Sequence, residues 1–234
     1  MRVEPSVARN SSQPTSKSSE RGDQPLIIIV DDDASVREAL TELMVSVGFE
    51  AAAFSSTQEL LEADVMDRPG GFILDVRMPG YSGLDLQNVL AENGNPKPVI
   101  FLTGHGDIEM TVQAMKAGAV DFLTKPVRDQ TLIDAVVSAI ELDAVKREEA
   151  GIVERNLDRL KTLTPREREV LHEVARGQLN KQIAFRLGIS EVTVKLHRGN
   201  VMRKMEAASI GELIRAWEKL PAPVREAGAN PAPR

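Results

Sequence analysis

Five polar side chains in the first 125 residues of this 234-residue chain stand where they could share one phosphate or metal site. Asp31 and Asp32 follow the run LIIIV, Asp75 follows FIL, Thr103 follows VIFL and Lys125 follows DFLT. If the runs are strands of one open parallel sheet, these residues converge at its carboxyl edge, where such sheets bind ligands. Three carboxylates offer the oxygen ligands that a hard cation such as Mg²⁺ takes. A carboxylate can also act as a nucleophile and accept a phosphoryl group, with an ammonium and a hydroxyl donating to the phosphoryl oxygens. Without a cation, carboxylates packed this closely repel one another and draw protons back. Asp33, next in the run, has the plainer use of capping the helix that follows.

The elements that would position these residues can be read from periodicity. Strand-like runs cover Leu26–Val30, Glu50–Phe54, Phe72–Asp75, Pro98–Leu102 and Val120–Leu123. Helical patterns lie between and after them near 34–47, 57–64, 83–92, 107–117 and 128–142. Continuous aliphatic runs alternating with helices predict a parallel sheet covered on both faces. Gly48, Pro69-Gly70-Gly71, Pro79-Gly80, Asn93-Gly94-Asn95-Pro96 and Gly118 supply the turns. The fold class is therefore α/β, a flavodoxin-like (βα)5 domain, followed by an all-α module.

Composition narrows the class further. Hydrophobic content of 42% supports a core, and aromatics at 3% leave it aliphatic. The chain has no cysteine, which excludes disulfides and thiolate metal sites and fits a reducing compartment. His105, His172 and His197 lack ligand-like spacing, so no zinc site is expected. No apolar run approaches the roughly 18–20 residues that span a bilayer. The start lacks an apolar signal region, so a cytoplasmic protein is expected. Net charge is −6, but residues 161–220 carry 12 Lys/Arg against 7 Asp/Glu. An acidic half joined to a basic half points to two modules with different partners. The expected division is a disordered extension over 1–24, the α/β domain over 25–142, a charged, helix-compatible linker or helix extension over 143–160, a helical domain over 161–221 and a disordered tail over 222–234.

IVDDD, LDVRMPG, FLTGHGD and AGAVDFLTKP resemble the receiver domain of bacterial two-component response regulators over about residues 26–142. The resemblance implies that Asp75 is the phosphoacceptor. It implies Mg²⁺ held by Asp31, Asp32, Asp75 and the backbone carbonyl of Arg77. Thr103 and Lys125 would contact the phosphoryl oxygens, the Lys125-Pro126 bond would be cis, and Phe122 would be the aromatic switch residue. Arg77 and His105 would sit where the family tunes the lifetime of the acyl phosphate.

The second half carries helix signals only. Thr164-Pro165-Arg166-Glu167 combines an N-cap, a proline at the first helical position and Glu at N3. That helix should stop at Gly177, a second should cover Lys181–Leu187, and Ser190 should cap a third over Glu191–Met205. Ser209 and Glu212 repeat the capping-box spacing for a fourth. The short Leu-Gly-Ile-Ser turn makes helices two and three a helix-turn-helix candidate. TLTPREREVL and NKQIAFRLGISEVTVKLHRGNVMRKM resemble the four-helix DNA-binding domain of the LuxR/NarL/FixJ type, and GHGD, DFLTKP and HRGNVMRKM are similar to the FixJ-like branch.

At 100° per residue Val194, Val201 and Met205 fall within about 40° of one another, so they form the core stripe of the third helix. Val192, Lys195, Leu196, Gly199 and Arg203 lie roughly opposite and should enter the major groove. Lys195 can reach base acceptors, Leu196 a thymine methyl, and Arg203 a phosphate. Thr193, His197, Arg198 and Lys204 on the flanks, and Lys181 at the start of the second helix, complete the expected DNA-contacting set. Gly199 is unusual, because glycine inside a helix costs about 1 kcal/mol relative to alanine. Members of the NarL branch carry a lysine there, so their contact pattern does not transfer to this position.

The resemblance implies a transcription regulator rather than an enzyme. It would be phosphorylated by a cognate sensor histidine kinase, would form a homodimer through its receivers, and would bind promoter DNA. Transcription would be regulated, more by activation than repression, with RNA polymerase as a further partner and no membrane association. Two other readings stay open from the residues: a metal-dependent aspartyl phosphatase, suggested by Asp31-x-Asp33, and a LuxR-type activator sensing a small ligand.

Overall fold

The computed structural model describes residues 24–92, 94, 97–104 and 108–227. The expected disorder of residues 1–23 and 228–234, and the placement of His105, lie outside the described residues. The chain divides into two compact units between Lys146 and Arg147.

The first unit holds five strands, β1 (Leu26–Val30), β2 (Glu50–Phe54), β3 (Gly70–Leu74), β4 (Val99–Thr103) and β5 (Asp121–Thr124). They form one parallel sheet in the order β2-β1-β3-β4-β5. The helices are α1 (Ala34–Ser46), α2 (Thr57–Leu61), α3 (Gly83–Glu92), α4 (Ile108–Lys116) and α5 (Asp129–Lys161). Because strand side chains alternate, Ile27, Ile29, Ile73 and Ile100 face one way and pack with Leu40, Met44, Leu132 and Val136. Ile28, Val30, Phe72, Leu74 and Phe101 face the other way and pack with Leu60, Leu86 and Ala114. Burial on both faces is what makes LIIIV a continuous apolar run. Strand order reverses between β1 and β3, so the ends carrying Asp31 and Asp75 are neighbours at the switch point.

β3 begins two residues before the expected Phe72, since the Gly70-Gly71 pair enters the ladder instead of the turn. Gly70 has φ +129°, and a Cβ there would lie 2.1 Å from the Leu26 carbonyl oxygen. Only glycine lets β3 lie that close to β1. The Gly70 N–H donates to Asp143 Oδ2 at 2.8 Å, a buried bond between the strand and α5.

Residues 143–160, expected as a linker or a helix extension, are the continuation of helix α5, which runs unbroken to Lys161. Apolar spacing there is sparse because few positions are buried. Asp143 is buried in the first unit, and Asn156 and Leu160 are buried in the second.

In the second unit α5 is followed by α6 (Pro165–Ala175), α7 (Asn180–Leu187), α8 (Glu191–Lys204), α9 (Ile210–Glu218) and α10 (Ala222–Ala227). The Thr164 capping box forms with both of its bonds, and Ser190 and Ser209 accept from Thr193 N and Glu212 N. Gly177 and Gly188 end their helices at φ +77° and +64°. Val170, Leu171, Val174, Ile183, Val194, Val201, Met205, Leu213 and Trp217 fill the core. The tail departs from expectation here: residues 222–227 are helical, because Val224 packs against this core. No helix among the described residues is long and apolar enough to cross a membrane.

Candidate phosphoryl site and nucleic-acid interface

β1 and β3 deliver Asp31 and Asp75 to adjacent strand ends, and the loop after β5 brings Lys125 between them. The Lys125 ammonium donates to Asp31 Oδ2 at 2.5 Å and to Asp75 Oδ2 at 2.7 Å. Carboxylate oxygens of Asp31, Asp32 and Asp75 all lie within 4.8 Å of one another. Asp31 and Asp75 are buried, and Asp32 is exposed. Backbone N–H groups orient the buried pair: Asp33 N donates to Asp31 Oδ1 and Arg77 N to Asp75 Oδ1, each at 3.0 Å. Burial holds the Asp31 carboxyl above its ordinary range, despite the Lys125 hydrogen bond that opposes it. Burial works against the Lys125 charge too, but the hydrogen bonds to Asp31 and Asp75 carry it above its ordinary value. One ammonium against three clustered carboxylates leaves the site short of positive charge, so the donor set fits a divalent oxygen-seeking cation.

Thr103 ends β4, is buried, and its carbonyl accepts from Lys125 N at 2.8 Å. The Lys125-Pro126 bond is cis. Phe122 is half-buried on β5, its ring 6.0 Å from that of Phe101. Arg77 is exposed, and its backbone rather than its side chain meets the site. Asp33 is the N-cap of α1, accepting from Ser35 N and Val36 N, and these bonds with the Ser35 hydroxyl lower its pKa.

In the second unit α8 buries Val194, Val201 and Met205 and exposes the opposite stripe, with Val192 at 76% and Leu196 at 63%. Lys195, Gly199 and Arg203 are exposed on that stripe, as is Lys181 in the first turn of α7. The three cations make no ion pair among the described residues, so their charge is available to a polyanion. Arg198 instead donates to Asn180 Oδ1 at 2.7 Å, tying α8 to α7. Thr193 serves the cap, its N–H and hydroxyl both on Ser190 Oγ. His197 is half-buried. Lys204, expected to contact DNA, is turned inward. Its ammonium is held by Glu167 Oε2 at 2.7 Å and the Thr162 carbonyl at 3.1 Å.

Residues 27–137 match the response regulator receiver domain, and residues 161–217 match the bacterial regulatory proteins of the luxR family. Nodulation protein W of Bradyrhizobium diazoefficiens is 50% identical over 201 residues, covering 86% of this chain and 88% of that protein. This chain belongs to the NarL/FixJ-type response regulators. The response regulator protein TodT of Pseudomonas putida is 48% identical over 83% of this chain and 86% of its own length. The transcriptional regulatory protein FixJ of Azorhizobium caulinodans is 43% identical over 80% and 89%. Among solved structures the response regulator StyR superposes with a TM-score of 0.73 at 44% identity, covering 84% of this chain and 99% of its own. Full-length FixJ from B. japonicum gives a TM-score of 0.52 at 38% identity over 84% and 97%. The receiver match removes the reading of the first half as a small-ligand pocket, and these relatives are regulators rather than phosphatases.

Two residues of the response regulator's acidic site were not visible in the sequence. Arg37, on α1, donates to the Asp31 carbonyl at 2.7 Å and fixes the end of β1. Gly83 opens α3, and a Cβ there would lie 2.3 Å from the Asp75 carbonyl oxygen and 3.0 Å from the Phe101 ring. Arg37 belongs to no periodic set, and Gly83 stands at the first position of the helical pattern 83–92, where nothing in the spacing marks its contact with Asp75.

Proposed function

We propose that this response regulator is switched by phosphorylation of Asp75 and regulates, mainly by activating, transcription. The observation that carries the reading is the Lys125 ammonium bridging the buried Asp31 and Asp75 carboxylates at the sheet's switch point. A sensor histidine kinase supplies the phosphoryl group. An Asp75 carboxylate oxygen attacks phosphorus, the bond to the donor's histidine nitrogen breaks, and an acyl phosphate forms while the donor ring, already protonated on its other nitrogen, leaves as neutral imidazole. Asp31, Asp32, Asp75 and the Arg77 carbonyl would hold Mg²⁺, whose charge offsets that of the incoming phosphoryl oxygens. Lys125 and the Thr103 hydroxyl then donate to the phosphoryl oxygens. Movement of Thr103, with Phe122 turning inward behind it, biases a two-state equilibrium towards a receiver surface that dimerises. A dimer presents two copies of α8 to paired half-sites in promoter DNA, where Lys181, Lys195, Leu196 and Arg203 make contact and RNA polymerase is engaged.

Asp75→Asn tests this reading. Acetyl phosphate with Mg²⁺ should label the wild-type chain, raise its mass by light scattering to that of a dimer, and strengthen its binding to promoter DNA. The variant should show none of the three. Labelling at another residue, or an unchanged DNA response in the variant, would overturn the assignment.

A further inference from the structure

We infer that Gly199 is a specificity-determining position of the DNA interface. Resting on the reading of α8 as the DNA-contacting helix, the inference is that the helix backbone at Gly199 meets base edges directly. Thymine methyl groups then pack against Val192 and Leu196. The first support is that folding gives Gly199 no reason to be glycine. It lies inside α8 with ordinary helical φ, and a Cβ added there would have nothing within 4 Å. Gly70 and Gly83 differ, since a Cβ at either collides with a backbone carbonyl. Glycine is among the least favourable residues inside a helix, because it surrenders the most backbone freedom on folding. An exposed helical position with open space around it would therefore favour alanine or a long polar residue if the surface faced only water.

The second support is what surrounds the notch. Gly199 follows Lys195 and Leu196 by four and three residues and precedes Arg203 by four, so all four share one face of the helix. Val192 and Leu196 on that face are 76% and 63% exposed, while Lys195 and Arg203 are exposed cations. Large aliphatic groups held in water beside free cations suit a polyanion whose floor carries methyl groups. The major groove offers both, with phosphates at its rims and the thymine C5-methyl on its floor. A missing side chain lets that floor come nearer the helix axis than alanine would allow.

The experiment uses the full-length chain with acetyl phosphate and Mg²⁺. Duplexes bound by the wild type are selected from a random pool, and Gly199→Ala and Gly199→Lys are compared with it on the selected duplex and on random duplex. Both variants should unfold at the wild-type temperature or above. Both should bind the selected duplex at least about tenfold more weakly, the scale of one lost base contact. Binding of random duplex, which is electrostatic, should not fall. Replacing thymines of the selected half-site by deoxyuridine, which lacks the methyl, should weaken the wild type, and this loss should shrink in Leu196→Ala. A Gly199→Ala chain that binds the selected duplex like wild type, or that unfolds at lower temperature, would overturn the inference alone. A wild-type chain that enriches no sequence would overturn the DNA-binding reading and this inference with it.

Discussion

Replacing Glu167 by glutamine tests how the helical domain spends its charges. Glu167 is buried, its carboxylate accepts from Lys204 Nζ at 2.7 Å, and it also closes the capping box by accepting from Thr164 N at 2.9 Å. The Lys204 hydrogen bond, with help from the cap and against burial, lowers its pKa from 4.5 to about 2. At ~1.36 kcal/mol per tenfold change in proton affinity, that depression is about 3 kcal/mol of stability at neutral pH. Lys204 is partly exposed, so screening reduces the measured value to about 2 kcal/mol. Glutamine keeps a side-chain acceptor at N3 and the volume of the side chain, so Glu167→Gln removes little besides the charge.

The pH dependence follows from the direction of the shift. In the folded chain the carboxyl stays ionised below the pH at which the unfolded chain protonates it, so the unfolded state binds more protons between about 2 and 4.5. The stabilisation is complete above that window, declines as pH falls through it, and is gone below it. Trp217 is the single tryptophan of the chain and is buried in the core of this unit, so its fluorescence reports unfolding here. Unfolding free energies of wild type and Glu167→Gln from urea titrations should differ by about 2 kcal/mol at pH 7 and converge towards pH 2. An equal gap at pH 7 and pH 2.5 would show that packing, not charge, is lost, and would refute the assignment of this stability to the Glu167–Lys204 pair. Lys204→Met should be similarly destabilised yet leave the salt dependence of DNA binding unchanged. A shallower salt slope in that variant would return Lys204 to the phosphate-contacting set.

Two glycine substitutions should separate fold from site. Gly70→Ala places a methyl 2.1 Å from the Leu26 carbonyl at φ +129°, and should destabilise the receiver by about 3 kcal/mol or more, read by circular dichroism on denaturation. A wild-type midpoint would show that β1 and β3 can separate there at little cost. Gly83→Ala pushes on the carbonyl of Asp75 itself, so labelling by acetyl phosphate should slow by about tenfold, the scale of a misplaced reacting group. Normal labelling in a destabilised Gly83→Ala chain would confine the glycine's role to packing.

Legibility followed the reach of each signal. Alternation and apolar runs located all five strands, because burial on both faces leaves no room for polar residues in LIIIV or VIFL. The start of β3 was misplaced because Gly70-Gly71 looks like punctuation, and only the Leu26 carbonyl beside it explains the glycine. Sparse apolar spacing leaves linker and helix extension open over 143–160 for a related reason: Asp143 and Asn156, which anchor α5, are buried polar residues bonded to Gly70 N and to the Ala216 carbonyl. Periodicity gave the two faces of α8 correctly. It could not show that Lys204, on the flank, would meet a carboxylate 37 positions earlier in the chain. The acidic site was legible because strand ends in a parallel sheet converge by topology, whereas Arg37 and Gly83 support it through contacts that no spacing encodes.

The charge balance of the acidic site constrains how the proposed switch must work. Lys125 now divides its ammonium between Asp31 and Asp75, at 2.5 and 2.7 Å. Phosphorylation makes one Asp75 oxygen the bridging oxygen of an acyl phosphate, which removes the carboxylate charge and places about −1.5 to −2 on phosphoryl oxygens further from the strand. That bridging oxygen is a poor acceptor, so the Lys125 ammonium gains by following the charge to the phosphoryl group. Its backbone N–H is bonded to the Thr103 carbonyl, so the strand ends on which both donors stand are already coupled. Asp31 is thereby deprived of part of its neutralising partner while buried, which a divalent cation on the same carboxylates would offset. On this reading metal and phosphoryl group support one another. The acyl phosphate should therefore tie Lys125 and Thr103 to one arrangement more firmly with the cation than without it.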